Sequence, residues 1–139
     1  MTALTLPAEL CARIAAEARH AFPRECCGLI EGIREPARVQ ALALHTARNL
    51  AWSVDRFEID PAIQFALTRK LRGTPRRIVG CYHSHPGGAA VPSARDSADR
   101  SEEDFVWLIA AVSEAAIAPA IAAFQVVKGA FEPMAVESL

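Results

Sequence analysis

The residues best suited to chemistry lie in the segment His83-Ser84-His85-Pro86 and in Ser93 and Asp96, which follow it. If the segment is a strand, His83 and His85 lie on the same face, because alternate residues of a strand point the same way. A strand offers two imidazole nitrogens to one metal ion in this manner. The alternative is that both histidines are half-buried polar residues at the end of a strand, and the pair alone does not decide.

Ser93 and Asp96 also have two interpretations. A serine followed three residues later by an acid resembles a capping box at the start of a helix, although the acid there is more often Glu or Gln. The loop between His85 and Ser93 is, however, short and rich in Gly, Ala and Pro. Such a loop would allow the helix start to fold back and bring Asp96 to the histidines. Two His and one carboxylate leave the fourth position of a tetrahedral zinc open for water, as in catalytic zinc sites.

A hydrolase of this type also needs a base that is not a metal ligand. Glu25, immediately before the apolar run Cys26–Ile33, is the preferred candidate by position. Its alternative role is a solvated residue in the turn between a helix and a strand. By spacing alone, three other acids compete for the role: Glu31, Glu35 and Glu58.

The elements that must position these residues are predicted from hydrophobic periodicity and turn residues. Pro7 and the apolar positions after it predict a first helix that ends at Pro23. The segments predicted next are a hairpin of Cys26–Ile33 and Val39–Thr46, a loop Asn49–Asp60, a helix Pro61–Gly73, a strand Arg77–His85, a short helix Ser93–Asp99, and strands Phe105–Val112, Ile121–Lys128 and Phe131–Val136. This order predicts an α/β (α+β) fold with a mixed, largely antiparallel sheet flanked by helices. Residues 1–139 are expected to form one domain.

Composition and charge argue against several classes of function. The 139 residues carry 15 Lys and Arg against 16 Asp and Glu, which gives a formal net charge of −1. Neither nucleic acid nor a membrane surface is therefore expected as a partner, because both would require a basic patch. No apolar run reaches the roughly 20 residues of a membrane span, and the N-terminus lacks the features of a signal peptide. These observations, with four cysteines and no C-x-x-C pair, predict a cytoplasmic protein.

Together, the motif positions resemble the JAMM (MPN-plus) metalloproteases. The family signature matches His83-x-His85, a seven-residue gap and Ser93-x-x-Asp96. The segment Pro23–Gly32 looks like the one that carries the upstream glutamate of the family. Two further segments are similar to bacterial members, so the resemblance covers most of the chain: Asn49–Pro61 and Ala123–Gly129.

This resemblance implies a fold, a cofactor and a reaction. The implied fold is a deaminase-like α/β/α arrangement around a mixed sheet. Zn²⁺ would be bound by His83, His85 and Asp96, with water in the fourth position. Glu25 would act as general base, and Ser93 would donate a hydrogen bond to the oxyanion. The implied reaction is hydrolysis of a peptide or isopeptide bond next to the C-terminal Gly-Gly of a ubiquitin-like protein, and small bacterial members act on sulfur-carrier proteins of that fold.

Three other functions compete with this one. A non-catalytic MPN-type binding or scaffold module would have a broken ligand set, whereas every motif position is filled here. A zinc nucleobase deaminase requires an H-x-E and a C-x-x-C, and the sequence contains neither. A cysteine nucleophile, Cys26, Cys27 or Cys81, would make hydrolysis sensitive to alkylation instead of chelation.

Several residues outside the motif carry less specific expectations. Three of them are expected either to shape the cleft or to pack in the core: Tyr82, Ser84 and Trp107. Two histidines far from the motif are interpreted as surface or ordinary structural residues: His20 and His45. Most of the four cysteines are expected to be small core residues, with ligation of the metal as a lesser alternative for Cys26 and Cys27.

Overall fold

A computed structural model describes residues 2–99, 102–113 and 119–138. Within these residues lie seven strands and three helices. The strands are β1 (Ala3–Thr5), β2 (Cys27–Glu35), β3 (Arg38–Ala47), β4 (Arg77–Pro86), β5 (Val106–Val112), β6 (Ala120–Val127) and β7 (Ala130–Glu137). The helices are α1 (Ala8–Ala21), α2 (Pro61–Leu71) and α3 (Ala94–Asp99).

The helices and strands predicted from the sequence are present in the predicted order, with bounds that differ by a few residues. Local chemistry explains several of these bounds. Asp60 caps α2 by accepting a hydrogen bond from the Ala62 N–H (3.0 Å), and Pro61 occupies the first helical turn. The turn between β6 and β7 has positive φ at Lys128 and Gly129, 51° and 76°. In the part of the chain that the structure describes, no helix combines the length and apolar character needed to cross a membrane.

The arrangement of the strands differs from the predicted one. The order β1-β3-β2-β4-β5-β6-β7 closes on itself, because β1 pairs in parallel with both β3 and β7. The expected helix-flanked, deaminase-like α/β/α fold is therefore wrong, and the molecule is a closed barrel of mixed strands with short helices. The sequence did not predict the closure because β1 has only three residues, too few to show a strand periodicity. Its pairing removes the two edges that an open sheet would expose.

Two apolar clusters lie on opposite faces of the barrel wall, since they take alternate residues of the same strands. The inner cluster includes Ile30, Tyr82 and Leu108, receives side chains from all seven strands and packs against α1. The outer cluster includes Leu29, Cys81 and Trp107 and is covered by α2. On β4, the histidines therefore lie on the outer face with Cys81, and Ser84 lies on the inner face with Tyr82.

The cysteines behave as core residues. None of the four, all of which the structure describes, forms a disulfide, and Cys26, Cys27 and Cys81 are buried. Burial raises the pKa of Cys26 to about 11 and that of Cys27 to about 12, and it also raises the pKa of Cys81. The thiol form is therefore favoured at neutral pH, which disfavours these residues as nucleophiles.

Candidate metal centre

Strand β4 places two histidines at the end of the barrel wall. His83 lies opposite Cys27 of β2 on one side and Ile109 of β5 on the other. Its side chain is completely buried, whereas that of His85 is slightly exposed where the strand ends. The Nε2 atoms of the two imidazoles are 3.0 Å apart. The two rings therefore converge on one point.

Helix α3 brings Asp96 to the same point. Its Oδ2 lies 3.2 Å from His83 Nε2 and 3.1 Å from His85 Nε2. Ser93 caps the helix: its N–H donates to Asp96 Oδ2 (2.9 Å), and its Oγ accepts from the Asp96 N–H (3.1 Å). The two interpretations of the Ser-x-x-Asp pattern thus describe one geometry, in which the capping box orients the carboxylate. The hydroxyl hydrogen of Ser93 is left to donate elsewhere.

Glu25 lies beside the histidines, just before β2. Its carboxyl group and the imidazoles of His83 and His85 each offer one atom within 4.8 Å of the others. The side chain is buried, and its Oε1 has no hydrogen-bond partner in the described structure. Burial raises the pKa of Glu25 to about 7; the positive charge of His85 opposes this rise, and the carboxylates of Asp96 and Asp55 add to it. A buried acid with a pKa near neutrality is suited to exchanging protons near neutral pH.

The three converging side chains differ in how easily they take up a proton. Burial lowers the pKa of His83, despite its hydrogen bond to Asp96. Burial also acts to lower the pKa of His85, but the Asp96 carboxylate and the Ala89 carbonyl raise it overall. For Asp96, burial acts to raise the pKa, but hydrogen bonds from both imidazoles and from Ser93 hold it well below its usual range. The cluster therefore holds an anionic carboxylate against two imidazoles.

Aromatic rings form the wall behind His83. The ring of Phe57 is stacked on the imidazole, with centroids 4.2 Å apart and an interplanar angle of 20°. Trp107 meets the same imidazole edge-on at 5.7 Å. Of the two roles expected for Trp107, the structure shows packing, since the ring belongs to the outer cluster and contacts His83. Phe57 was not predicted, because an aromatic residue within a loop carries no periodic signal.

The donor atoms fit a zinc ion. Zn–N and Zn–O bonds of about 2.0–2.1 Å in a tetrahedral site place the ligand atoms about 3.3 Å from one another. The nitrogens of His83 and His85 and the Asp96 oxygen are 3.0–3.2 Å apart. His85 Nδ1 lies 2.9 Å from the Ala89 carbonyl oxygen, and donation to this oxygen leaves the Nε2 lone pair for a metal. The geometry and chemistry of this donor set thus suit zinc.

Several cavities lie around the centre, and two of them adjoin the histidines or their aromatic wall. One, of about 280 Å³, is lined by Glu25, His85 and Ser93, together with apolar residues of the loop that follows β4. The other, of about 460 Å³, lies beyond Phe57 and Trp107 and extends towards α2. The smaller cavity thus opens directly onto Glu25, His85 and Ser93.

The other residues singled out by sequence do not point their side chains into the cluster of His83, His85 and Asp96 and have other surroundings. Glu31 binds His45 and Arg76 in a separate ion cluster, so both Glu31 and His45 have structural partners. The remaining two competing acids and His20 are exposed: Glu35, Glu58 and His20. Ser84 is fully buried and bonds the main chain of Cys26, and Tyr82 donates to Glu17 (2.8 Å).

Comparison with known proteins identifies relatives of this chain. A family model described as prokaryotic homologs of the JAB domain matches residues 7–125, which include all five motif positions. The chain is 33% identical over 88 residues to a desampylase of Haloferax volcanii. It is 32% identical over 79 residues to the histone deubiquitinase MYSM1 of Branchiostoma floridae. The matches take in 63% and 55% of this chain, but only 62% and 10% of the length of these relatives.

Two solved structures are similar to this chain over nearly its whole length. A protein of Desulfitobacterium hafniense, DSY2949, superposes with a TM-score of 0.84 at 28% identity, over 98% of this chain and 92% of that one. A protein of Salinibacter ruber superposes with a TM-score of 0.71 at 26% identity, over 100% of this chain and 92% of that one. The family model and the desampylase confirm the resemblance that the motif suggested. The chain belongs to the prokaryotic JAB-domain family, a small branch of the JAMM/MPN proteins.

Proposed function

We propose that this protein is a zinc-dependent peptidase or isopeptidase that hydrolyses the bond after the C-terminal Gly-Gly of a ubiquitin-like or sulfur-carrier protein. The observation that carries the proposal is the convergence of His83, His85 and Asp96 within 3.2 Å. The carboxyl group of Glu25 lies beside the imidazoles, and its Oε1 has no hydrogen-bond partner in the described structure. The names of two similar proteins, a desampylase and a histone deubiquitinase, support a hydrolase that acts on ubiquitin-like modifiers.

Each side chain has a distinct role in the proposed reaction. His83, His85 and Asp96 hold the metal. When bound, zinc supplies Lewis-acid chemistry: it lowers the pKa of water and polarises a carbonyl group. Glu25 accepts a proton from the attacking water and passes it to the leaving amine, so that one water yields one carboxylic acid and one amine. The Ser93 Oγ already accepts a hydrogen bond from the Asp96 N–H. Its hydroxyl group donates a hydrogen bond to the carbonyl oxygen of the substrate as negative charge develops there.

The surroundings suit this division of roles. Residues 1–139 act in this proposal as one catalytic domain in the cytoplasm, in keeping with four cysteines that form no disulfide. The substrate reaches Glu25, His85 and Ser93 through the cavity of about 280 Å³. Every position of the motif carries the expected residue type, and these residues lie close together. A non-catalytic scaffold, which would have a broken ligand set, is therefore the less favoured alternative.

The test is incubation of the zinc-loaded protein with ubiquitin-like and sulfur-carrier proteins that carry C-terminal extensions after Gly-Gly, followed by intact-mass spectrometry. We expect loss of the extension, which stops on chelation and resumes when zinc is restored. Carriers that end at Gly-Gly are the control and keep their mass. Activity that survives chelation but is lost on thiol alkylation would contradict the proposal and favour a cysteine nucleophile.

A further inference from the structure

One peptide group next to Glu25 is held at both ends by side chains. The Glu25 carbonyl oxygen accepts a hydrogen bond from Asn49 Nδ2 (3.0 Å), and the N–H of Cys26 donates to Ser84 Oγ (2.8 Å). These two groups belong to a single peptide unit, which is planar. Bonds at its two ends therefore fix the orientation of its plane and, with it, the backbone from which the Glu25 side chain projects.

Ser84 connects this peptide to the metal ligands. It lies between His83 and His85 on β4, and alternate residues of a strand point to opposite faces. The strand thus presents the two imidazoles on its outer face and holds the Glu25 segment from its inner face. A second bond, from the Ser84 N–H to the Cys26 carbonyl (3.1 Å), reinforces the connection. The side chain of Ser84 is completely buried, which excludes water as a competitor for its hydroxyl.

Asn49 connects the same peptide to the aromatic wall. Besides the Glu25 carbonyl, its Nδ2 donates to the Arg56 carbonyl (3.3 Å), and its Oδ1 accepts from Ala51 N (2.9 Å) and Glu58 N (3.0 Å). Both N–H groups and both lone pairs of the amide are thereby used. Since residues 56 and 58 flank Phe57, the amide also braces the ring that stacks on His83.

We infer that Asn49 and Ser84 are positioning residues that aim the Glu25 carboxyl group at the centre, an inference that rests on the proposed function. The carboxyl group needs such support because its Oε1 has no partner of its own in the described structure. A buried carboxyl oxygen that has no hydrogen-bond partner depends on its backbone and packing for its orientation. Neither side chain touches the reacting atoms, so each acts through Glu25.

The test uses Ser84→Ala, which removes the hydroxyl, and Asn49→Asp, which removes the two N–H donors and keeps both acceptor positions. Thr74→Val is the matched control, because its hydroxyl also bonds main-chain groups, Leu71 O and Arg76 N, but far from the centre. We expect kcat to fall about tenfold to a hundredfold in the first two variants, with KM changed less than about threefold and full zinc content. We expect unchanged kcat in Thr74→Val.

A second readout is independent of activity. In metal-free protein, amide hydrogen exchange at Cys26 should be at least about tenfold faster in Ser84→Ala than in wild type, because the bond to Oγ is lost. Thr74→Val should leave this exchange rate unchanged. Exchange at Cys26 that matches wild type in Ser84→Ala would overturn the inference, as would kcat within about twofold of wild type in both test variants or a loss of kcat that only follows loss of zinc.

Failure of the proposed function has a different signature. If the wild type hydrolyses no substrate, or if Glu25→Gln keeps normal turnover, the assignment of the base is wrong whatever the two positioning variants do. If Glu25→Gln is inactive while Ser84→Ala and Asn49→Asp turn over normally, only the positioning inference is wrong. The three variants therefore need to be measured side by side.

Discussion

Two buried glutamates near β2 have very different surroundings. Glu31, within the strand, bonds His45 Nε2 (2.8 Å) with one oxygen and Arg76 Nη1 (2.5 Å) with the other. Glu25, just before the strand, lies within 4.8 Å of two imidazoles, yet its Oε1 has no partner in the described structure. Both carboxyl oxygens of Glu31 therefore have partners, whereas at least one oxygen of Glu25 has none in the described structure.

The pKa values of the two acids follow from this difference. Burial acts to raise the pKa of Glu31, but the hydrogen bonds and charges of Arg76 and His45 lower it overall. For Glu25, burial dominates and raises the pKa to about 7. The same residue types thus form a stable ion cluster in one place and a proton-exchanging group in the other. Satisfaction of the carboxyl oxygens, more than residue type, separates the structural role from the chemical one.

The largest expected difference is between the two histidines of these regions. His85→Ala should remove zinc and lower kcat/KM by at least about a thousandfold, because it deletes a ligand of the proposed site. His45→Ala should keep full zinc content and activity, because His45 bonds Glu31, which is not part of the proposed site. Zinc stoichiometry by elemental analysis and steady-state kinetics would check both variants. Zinc retained in His85→Ala would remove the basis for distinguishing the two regions.

The two acids themselves come next. Glu25→Gln should keep zinc but lower kcat by roughly a hundredfold to ten-thousandfold, the usual contribution of a general base. Glu31→Gln should leave kcat unchanged and lower the free energy of unfolding by about 1–3 kcal/mol, because the buried Glu31 carboxylate loses its charge-assisted hydrogen bonds to the partly exposed Arg76 and His45. Kinetics and denaturant unfolding would measure the two effects. Equal losses of kcat in both variants would show that the two acids are not functionally distinct.

How far the sequence predicted these regions depends on the range of the interactions. The helices and strands followed from local periodicity, and the shared face of His83 and His85 followed from the period of a strand. The closed barrel did not, because it depends on the pairing of the short β1 with two distant strands.

The candidate site shows the same division. A short loop allowed Asp96 to reach the histidines, and the family resemblance implied that it does. Glu25 was one of four acids allowed by spacing, and only the pairing of Cys27 with His83 places it at the centre. The sequence places Ser84 between the two histidines. Its bond to Cys26 could not be predicted, because it depends on the pairing of β2 with β4. Asn49 and Phe57 lie in a loop whose tertiary contacts give no local signal in the sequence.

The pH dependence of stability should have opposite signs for the two acids in metal-free protein. The folded-state pKa of Glu25 is raised from 4.5 to about 7, so its contribution is present below pH 4.5 and is lost as the pH rises through 7. Glu25→Gln should therefore gain stability relative to wild type over this range, on the order of 1–3 kcal/mol. For Glu31, whose pKa is lowered, the contribution is present above the unfolded-state pKa and is lost as the pH falls through the folded-state value.

Thermal unfolding of the chelated wild type and of both Gln variants at several pH values would measure these contributions. The difference between Glu31→Gln and wild type should shrink as the pH falls. The difference between Glu25→Gln and wild type should grow as the pH rises from 5 to 8. Stability curves of the three proteins that run parallel would contradict the contrast between the satisfied and the unsatisfied acid.

The smallest expected effect is on zinc affinity and concerns Phe57, whose ring is stacked on the imidazole of His83. Phe57→Leu removes the stacked ring and keeps an apolar side chain, so zinc affinity should fall by about twofold to tenfold, the equivalent of 0.5–1.5 kcal/mol for an aromatic pair. Phe65→Leu is the control, because Phe65 lies on α2 with 74% of its surface exposed. Competition with a chelator of known affinity would measure both. Equal zinc affinity in the two variants would mean that the strand and the Asp96 carboxylate orient His83 without the ring.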